Sequence, residues 1–278
     1  MRMGTSLSFK GKKADLDELV VETTRKCNLA CGHCLRGLKQ DKSMDNRTLA
    51  NLMEQINSVD RLHITGGEPL LEPSIIQQMA DMFKRQVDLN SWVLITNGTV
   101  WNSETLMALY QLSKVTGGDI SLALNAFGYS NVPTGQIAIS ASIFHRDARN
   151  KAGISKEQFE ETKAQIKGDA KALLNASFIP NYVSNGLLNM GRAKSLGGNK
   201  IDPYTEPKFR VNRLYDGDMH VNGIVYVDVN GNVVPMNLSY KEQDKHVFGN
   251  VNEENLASIL HRATADINHT PIKWEVAK

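Results

Sequence analysis

Outside one eight-residue window, Cys27 to Cys34, the 278-residue chain contains no cysteine. A disulfide framework needs an even number of cysteines spread over several loops, so three crowded thiols point instead to a reducing compartment and a ligand cluster. Charge of one sign is lacking too. Lys and Arg total 32 against 30 Asp and Glu, a formal net charge of +2. That excludes a global basic field and leaves at most a local patch, so long nucleic acid is not expected as a partner. No stretch approaches about eighteen uninterrupted apolar residues. The segment Met1 to Lys13 carries Lys10, Lys12 and Lys13 but no apolar core of signal-peptide length. No membrane segment and a cytoplasmic location are therefore expected. Residues 1–14 read as a flexible tail; the other reading is that its lysines touch an anionic substrate. Hydrophobic residues make up 41% of the chain, enough for a sizeable core in one large domain or two small ones.

Asp15 to Thr23 alternates in part and becomes β-branched toward its end, which predicts a strand. The cysteines follow it directly. Cys27-Asn-Leu-Ala-Cys31-Gly-His-Cys34 is C-x-x-x-C-x-x-C, a spacing short enough for one loop to wrap three thiolates around a single inorganic cluster, with Gly32 allowing a sharp turn. Three ligands for four irons leave one iron open to a substrate or cofactor. Other readings are a zinc site that adds His33, a redox dithiol of Cys31 and Cys34, and three unrelated buried cysteines.

Beyond the loop, Asp45 is placed to cap a helix over Arg47 to Ser58, where Leu49, Leu52, Met53 and Ile56 fall on one face. Arg61 to Thr65 reads as a second strand, followed by a helix from Pro73 to Arg85. Ser91 to Thr96 is a third strand ending in Asn97-Gly98, and Ser103 to Leu112 a further helix. Strands alternating with helices imply βαβ units and a parallel sheet whose ligands gather at the strands' C-terminal ends. Both Asp119 to Asn125 and Gln136 to Ser142 can be the fourth strand, the second being preferred. Ser155 with Gln158 is a capping box for a helix running toward Leu174, and Ala176 to Val183 reads as a fifth strand. Val221 to Val229 and Asn232 to Met236, joined by Asn230-Gly231, form a hairpin signal, with a helix beginning near Glu253.

The cysteine loop after a first strand, followed about thirty residues later by Ile64-Thr65-Gly66-Gly67-Glu68-Pro69, resembles the radical S-adenosylmethionine (SAM) superfamily. The resemblance covers roughly Leu16 to Ala193. It implies one [4Fe-4S] cluster on Cys27, Cys31 and Cys34, with S-adenosylmethionine on the open iron. It further implies one-electron cleavage of the cofactor to a 5′-deoxyadenosyl radical, which takes a hydrogen atom from the substrate. An electron donor such as flavodoxin or ferredoxin is implied with it. The fold it implies is α/β, a partial (β/α)6 TIM-like barrel over 15–215, with a small β-hairpin and helix extension over 216–278.

On this resemblance Gly66, Gly67, Glu68 and Pro69 belong to the cofactor site, with Glu68 the candidate partner for the methionine ammonium. His33 stands where an aromatic residue often lies against adenine; it either stacks there or is an exposed loop histidine. Asn97 faces the cofactor or serves only the turn. Ser140 and Ser142 are candidates for the ribose or carboxylate, one of them merely packing. His145 and Arg146 lie past that strand's end. Arg192, in Met190-Gly-Arg-Ala193, is a candidate near the cofactor carboxylate, with a solvated helix charge as the alternative. The C-terminal hairpin resembles a SPASM-type extension, but a cysteine often stands where this chain has Met236, so no auxiliary cluster is expected. The expected substrate is a peptide or protein, or else a small molecule such as a nucleoside or nucleotide base; a non-catalytic metal-binding or electron-transfer protein is the reading from another class.

Overall fold

The structure is a computed structural model that describes residues 12–124, 134–174, 177–179, 208–213, 219–236 and 238–265. Its centre is β1, Ala14–Thr24. Alternate side chains of this strand part to two faces: Leu19 and Val21 enter the main core, while Val20 packs with Tyr226 and Val234 on the other side. β2, Ile56–Gly66, lies parallel to β1, and β3, Asp88–Thr96, lies parallel to β2. Helices α1 (Asn46–Met53), α2 (Pro73–Gln86) and α3 (Ser103–Val115) accompany these strands. The apolar stripe Ile75, Ile76, Met79, Ala80 and Phe83 of α2, with Ala108, Leu109 and Leu112 of α3, is buried in the main core. Each such aliphatic side chain contributes about 1.5–3 kcal/mol by leaving water.

Both candidates for a fourth strand are strands. β4 is Ile120–Leu124 and β5 is Gly135–Ile139, and it is β5 that pairs with β3, while β4 lies beyond it and pairs with β6, Ser177–Ile179. Trp92 of β3 decides the neighbour. It is fully buried opposite Gly135, where an added Cβ would sit 2.6 Å from the indole. A side chain there would drive the two strands apart.

The C-terminal part joins the same sheet. β7, Lys208–Arg213, is antiparallel to β8, Met219–Val227, and β8 is parallel to β1 on the side away from β2. β9, Asn232–Val234, and β10, Gly249–Asn250, continue the sheet antiparallel. Among the described residues this is one open, mostly parallel sheet, in the order β10-β9-β8-β1-β2-β3-β5-β4-β6 with β7 against β8. The α/β class and the partial-barrel arrangement are as expected. The expected division at 215/216 falls in 214–218, outside the described residues, with strands on both its sides in one sheet. No helix among the described residues is long and apolar enough to cross a membrane.

Three expectations shift. The helix expected to Ser58 stops at Met53, because Ile56 and Val59 pair with Ala14 and Leu16 of β1 instead of continuing the helical face. The strand expected to Ser142 ends at Ile139, and Ser142 becomes the N-cap of α4, Ile143–Lys151, a helix not foreseen. The C-terminal helix, α7, starts at Leu256 after the single turn of α6, Tyr240–Gln243. The capping box on Ser155 and Gln158 is present and opens α5, Lys156–Leu173.

Candidate functional site

The C-terminal ends of β1, β2, β3 and β5 meet around the cysteine loop. Cys27, Cys31 and Cys34 are all half-buried and no disulfide joins them. Within the loop, Cys34 N–H donates to the Cys31 carbonyl (3.2 Å) and Gly37 N–H to the Cys34 carbonyl (3.2 Å), so the segment turns back on itself. Buried Leu29 pins it to the body of the protein, and its N–H points at Cys27 Sγ (3.4 Å). Asn97 Nδ2 lies 3.9 Å from the same sulfur. Burial pushes the Cys27 thiol up, opposed by the Leu29 N–H.

Among the described residues, no group of three or more His, Cys, Asp or Glu side chains is drawn together as the ligand set of a metal ion. The donor chemistry nonetheless fits an iron–sulfur cluster. Three soft thiolate donors come from one loop, and N–H groups face one of the sulfurs, the kind of outer contact that tunes such a centre.

Beside the loop, the backbone of Gly66 and Gly67 runs against the exit of β1. Gly67 N–H donates to the Thr24 carbonyl (2.7 Å) and Glu68 N–H to the Lys26 carbonyl (2.8 Å). A Cβ at Gly67 would lie 2.1 Å from the Lys26 carbonyl oxygen, and one at Gly66 2.2 Å from that of Thr24. The glycine backbone thus lies against the chain itself, directly before Cys27.

Glu68, the expected ammonium partner, is fully buried. Oε1 accepts from Thr96 Oγ1 (2.7 Å) and from Leu70 N–H (3.1 Å), and Oε2 from Asn97 N–H (2.7 Å). The carboxylate caps the short 3-10 turn Pro69–Leu71, whose first residue Pro69 is buried, and ties it to the end of β3. Burial pushes Glu68 up to about 7, against the three hydrogen bonds that pull it down.

Asn97 makes the turn and also reaches into the cysteine loop. Its Oδ1 accepts from Thr99 N–H (3.0 Å), making the turn after β3, while its Nδ2 donates to Asn28 Oδ1 (2.9 Å) inside the cysteine loop. Ser140 is buried just past β5, and its N–H donates to the Thr96 carbonyl (2.8 Å). Ser142 does not share a strand face with it. At the head of α4 its Oγ lies 2.7 Å from His145 Nδ1.

His33 is not an exposed loop residue. Its ring stacks on Phe144 (4.8 Å between centroids, 23° between planes) and meets the His145 ring edge-on at 4.6 Å. Burial, then the nearby His33 and Arg149, lowers His145 to about 3. Buried Arg149 lies over the Phe159 ring at 3.6 Å. Phe144 and Arg149 were missed because α4 was missed; Ser142, a residue type that caps helices, was the available signal. Arg146 is exposed beside Asp147, and Arg192 lies outside the described residues.

The radical SAM superfamily model matches residues 21–131, which hold the end of β1, the cysteine loop, β2, the Gly66–Pro69 turn, β3 and Asn97. That stretch matches the radical SAM superfamily. The chain is similar to the GTP 3',8-cyclase of Peptoclostridium acidaminophilum, 31% identical over 100 residues covering 34% of this chain and 30% of that protein. It is also similar to the PqqA peptide cyclase of Gluconobacter oxydans, 29% identical over 96 residues, 33% of this chain and 26% of that protein. The matched stretches span less than about a third of these relatives' length. A solved structure of BtrN in complex with AdoMet and 2-DOIA aligns over 91% of this chain and 86% of that one, at 18% identity and a TM-score of 0.48.

Proposed function

We propose that the chain is a radical SAM enzyme that holds one [4Fe-4S] cluster on Cys27, Cys31 and Cys34 and binds S-adenosylmethionine beside it. The observation that carries this is the half-buried three-cysteine loop at the C-terminal end of β1, braced by the Gly66–Pro69 turn and by Asn97. When bound, the cluster and cofactor supply one-electron bond cleavage and hydrogen abstraction. The chain's own part is positional. The three thiolates leave one iron without a protein ligand, His33 presents a ring face beside the loop, and the buried strand ends keep water from the reacting groups.

Peptide or protein is the substrate class we favour. Similarity to a peptide cyclase and the SPASM-like hairpin support it. The similarity to a GTP cyclase supports a nucleotide as the second reading. The test is anaerobic reconstitution: about four irons per chain are expected in the parent and none in Cys31→Ala, with 5′-deoxyadenosine formed only by the parent under reduction. One zinc and no iron in the parent would overturn the reading. Release of 5′-deoxyadenosine stimulated by a guanosine nucleotide and not by peptides would select the second substrate class.

A further inference from the structure

Both flanks of the cysteine loop are gripped by the C-terminal segment. Arg25, two residues before Cys27, is fully buried. Its Nε donates to Glu22 Oε2 (3.1 Å) and its Nη2 to Asp228 Oδ2 (2.9 Å); Nη1 donates to Asp244 Oδ1 (3.2 Å) and Gln40 Oε1 (3.1 Å). The guanidinium also lies over the Tyr240 ring, 4.6 Å from its centroid. Arg36, two residues after Cys34, donates from Nη1 to the Leu238 carbonyl (2.7 Å) and lies 4.7 Å from the Tyr226 ring centroid. Its own carbonyl accepts from Tyr240 N–H (3.1 Å), and Gln40 N–H closes the base of the loop on the Arg25 carbonyl (3.1 Å).

This arrangement is more than packing demands. Taking a guanidinium and the carboxylates of Glu22 and Asp228 out of water costs more than an apolar filling of the same space. What ion pairs add is a fixed orientation. Asp228 is itself held, since its Oδ1 accepts from Asn230 N–H and Asn232 N–H (both 2.9 Å) in the hairpin turn. The direction of Arg25 is therefore set by the β8–β9 turn, and that of Arg36 by the segment leading into α6.

We propose that the β8–β9 turn and α6 form a brace for the cysteine loop, with Arg25 and Arg36 as positioning residues. The extension, which has no cysteine of its own, then serves to hold the first cluster. The inference rests on the reading that this loop carries a cluster.

The test uses the full chain with Asp228→Asn and Arg36→Met, and Asp45→Ala as a control that removes the cap of α1 without touching the network. Three quantities are read: the rate of iron release to a ferrous chelator, the electron paramagnetic resonance spectrum of the reduced cluster, and amide hydrogen exchange over 27–37 in the apoprotein. Iron release about tenfold faster, an altered spectrum and faster loop exchange are expected in both network variants, with exchange in β2 and β3 unchanged and the control like the parent. Equal iron release in all four proteins, or equal acceleration by Asp45→Ala, would overturn the brace. If Asp228→Asn does not fold, Arg36→Met alone decides. A parent that holds no iron refutes the cluster reading, whereas the exchange comparison still tests the brace.

Discussion

Glu68→Gln tests whether burial or hydrogen bonding governs the carboxylate beneath the cysteine loop. Three donors point at Glu68, from Thr96, Asn97 and Leu70, and such donors by themselves would keep it ionised. Burial opposes them and comes out ahead, placing the group at about 7 instead of the ordinary 4.5. The proton has a place to go, because the Thr96 hydroxyl can turn to accept from a protonated Oε1, which the two backbone N–H groups cannot do. Between pH 4.5 and about 7 the folded chain keeps a proton that the unfolded chain has released, so stability falls as the pH rises through that window. At 1.36 kcal/mol per unit of pKa the loss reaches about 3 kcal/mol. Glu68→Gln has nothing to titrate there. Urea unfolding of the apoproteins at pH 5, 6, 7 and 8 should show the parent losing about 2.5 kcal/mol relative to the variant across the series, the rest of the loss lying below pH 5. A constant difference, or a parent that gains on the variant, would refute the reasoning and mean that the three donors outweigh desolvation.

Gly67→Ala forces a Cβ to 2.1 Å from the Lys26 carbonyl oxygen, so its free energy of unfolding in urea should drop sharply, whereas Gly32→Ala, with nothing within 4 Å, should leave that free energy within about 0.5 kcal/mol of the parent. His145, held near 3 by burial, should show ring proton shifts in the apoprotein that stay flat from pH 4.5 to 8. A midpoint near 6.5 would mean that the ring is hydrated and the stack with His33 is open.

How far the fold was legible depended on whether the deciding contact was local. α2, α3 and α5 follow from apolar spacing and from caps at Asn102 and Ser155, which act within one turn. α1 was overextended because Ile56 continues its helical face, and only pairing with Ala14 in β1 turns that residue into a strand. α4 has no apolar stripe to read: its buried positions are Ala148 and Arg149, and its ring residues Phe144 and His145 pack on His33. The order β3-β5-β4 rests on Trp92 meeting Gly135, a pairing across 43 residues that no local pattern encodes. Arg25 looked like a strand exit, for its partners Asp228 and Asp244 lie 203 and 219 residues away.

The same distinction bears on what a motif residue does. The cysteine loop turns on bonds from Cys34 N–H to Cys31 and from Gly37 N–H to Cys34, and it is also held from outside. On one side stand the Gly66–Glu68 backbone and Asn97; on the other stand Arg25 and Arg36 with the C-terminal turn. Glu68 therefore shapes the site whether or not it ever touches a ligand, because its Oε2 accepts from Asn97 N–H, and Asn97 holds Asn28 within the loop. Loss of cofactor binding in Glu68→Gln would fit either direct contact or this indirect support. Asn28→Ala separates them. It leaves Glu68 and its donors intact while cutting the bonds of Asn28 to Asn97 and to Thr99, each worth about 0.5–1.5 kcal/mol. If support is what matters, titration of each reduced protein with S-adenosylmethionine should show Asn28→Ala weakening binding by a factor of about 2–10. Parental affinity in Asn28→Ala, alongside a large loss in Glu68→Gln, would instead place the carboxylate on the cofactor.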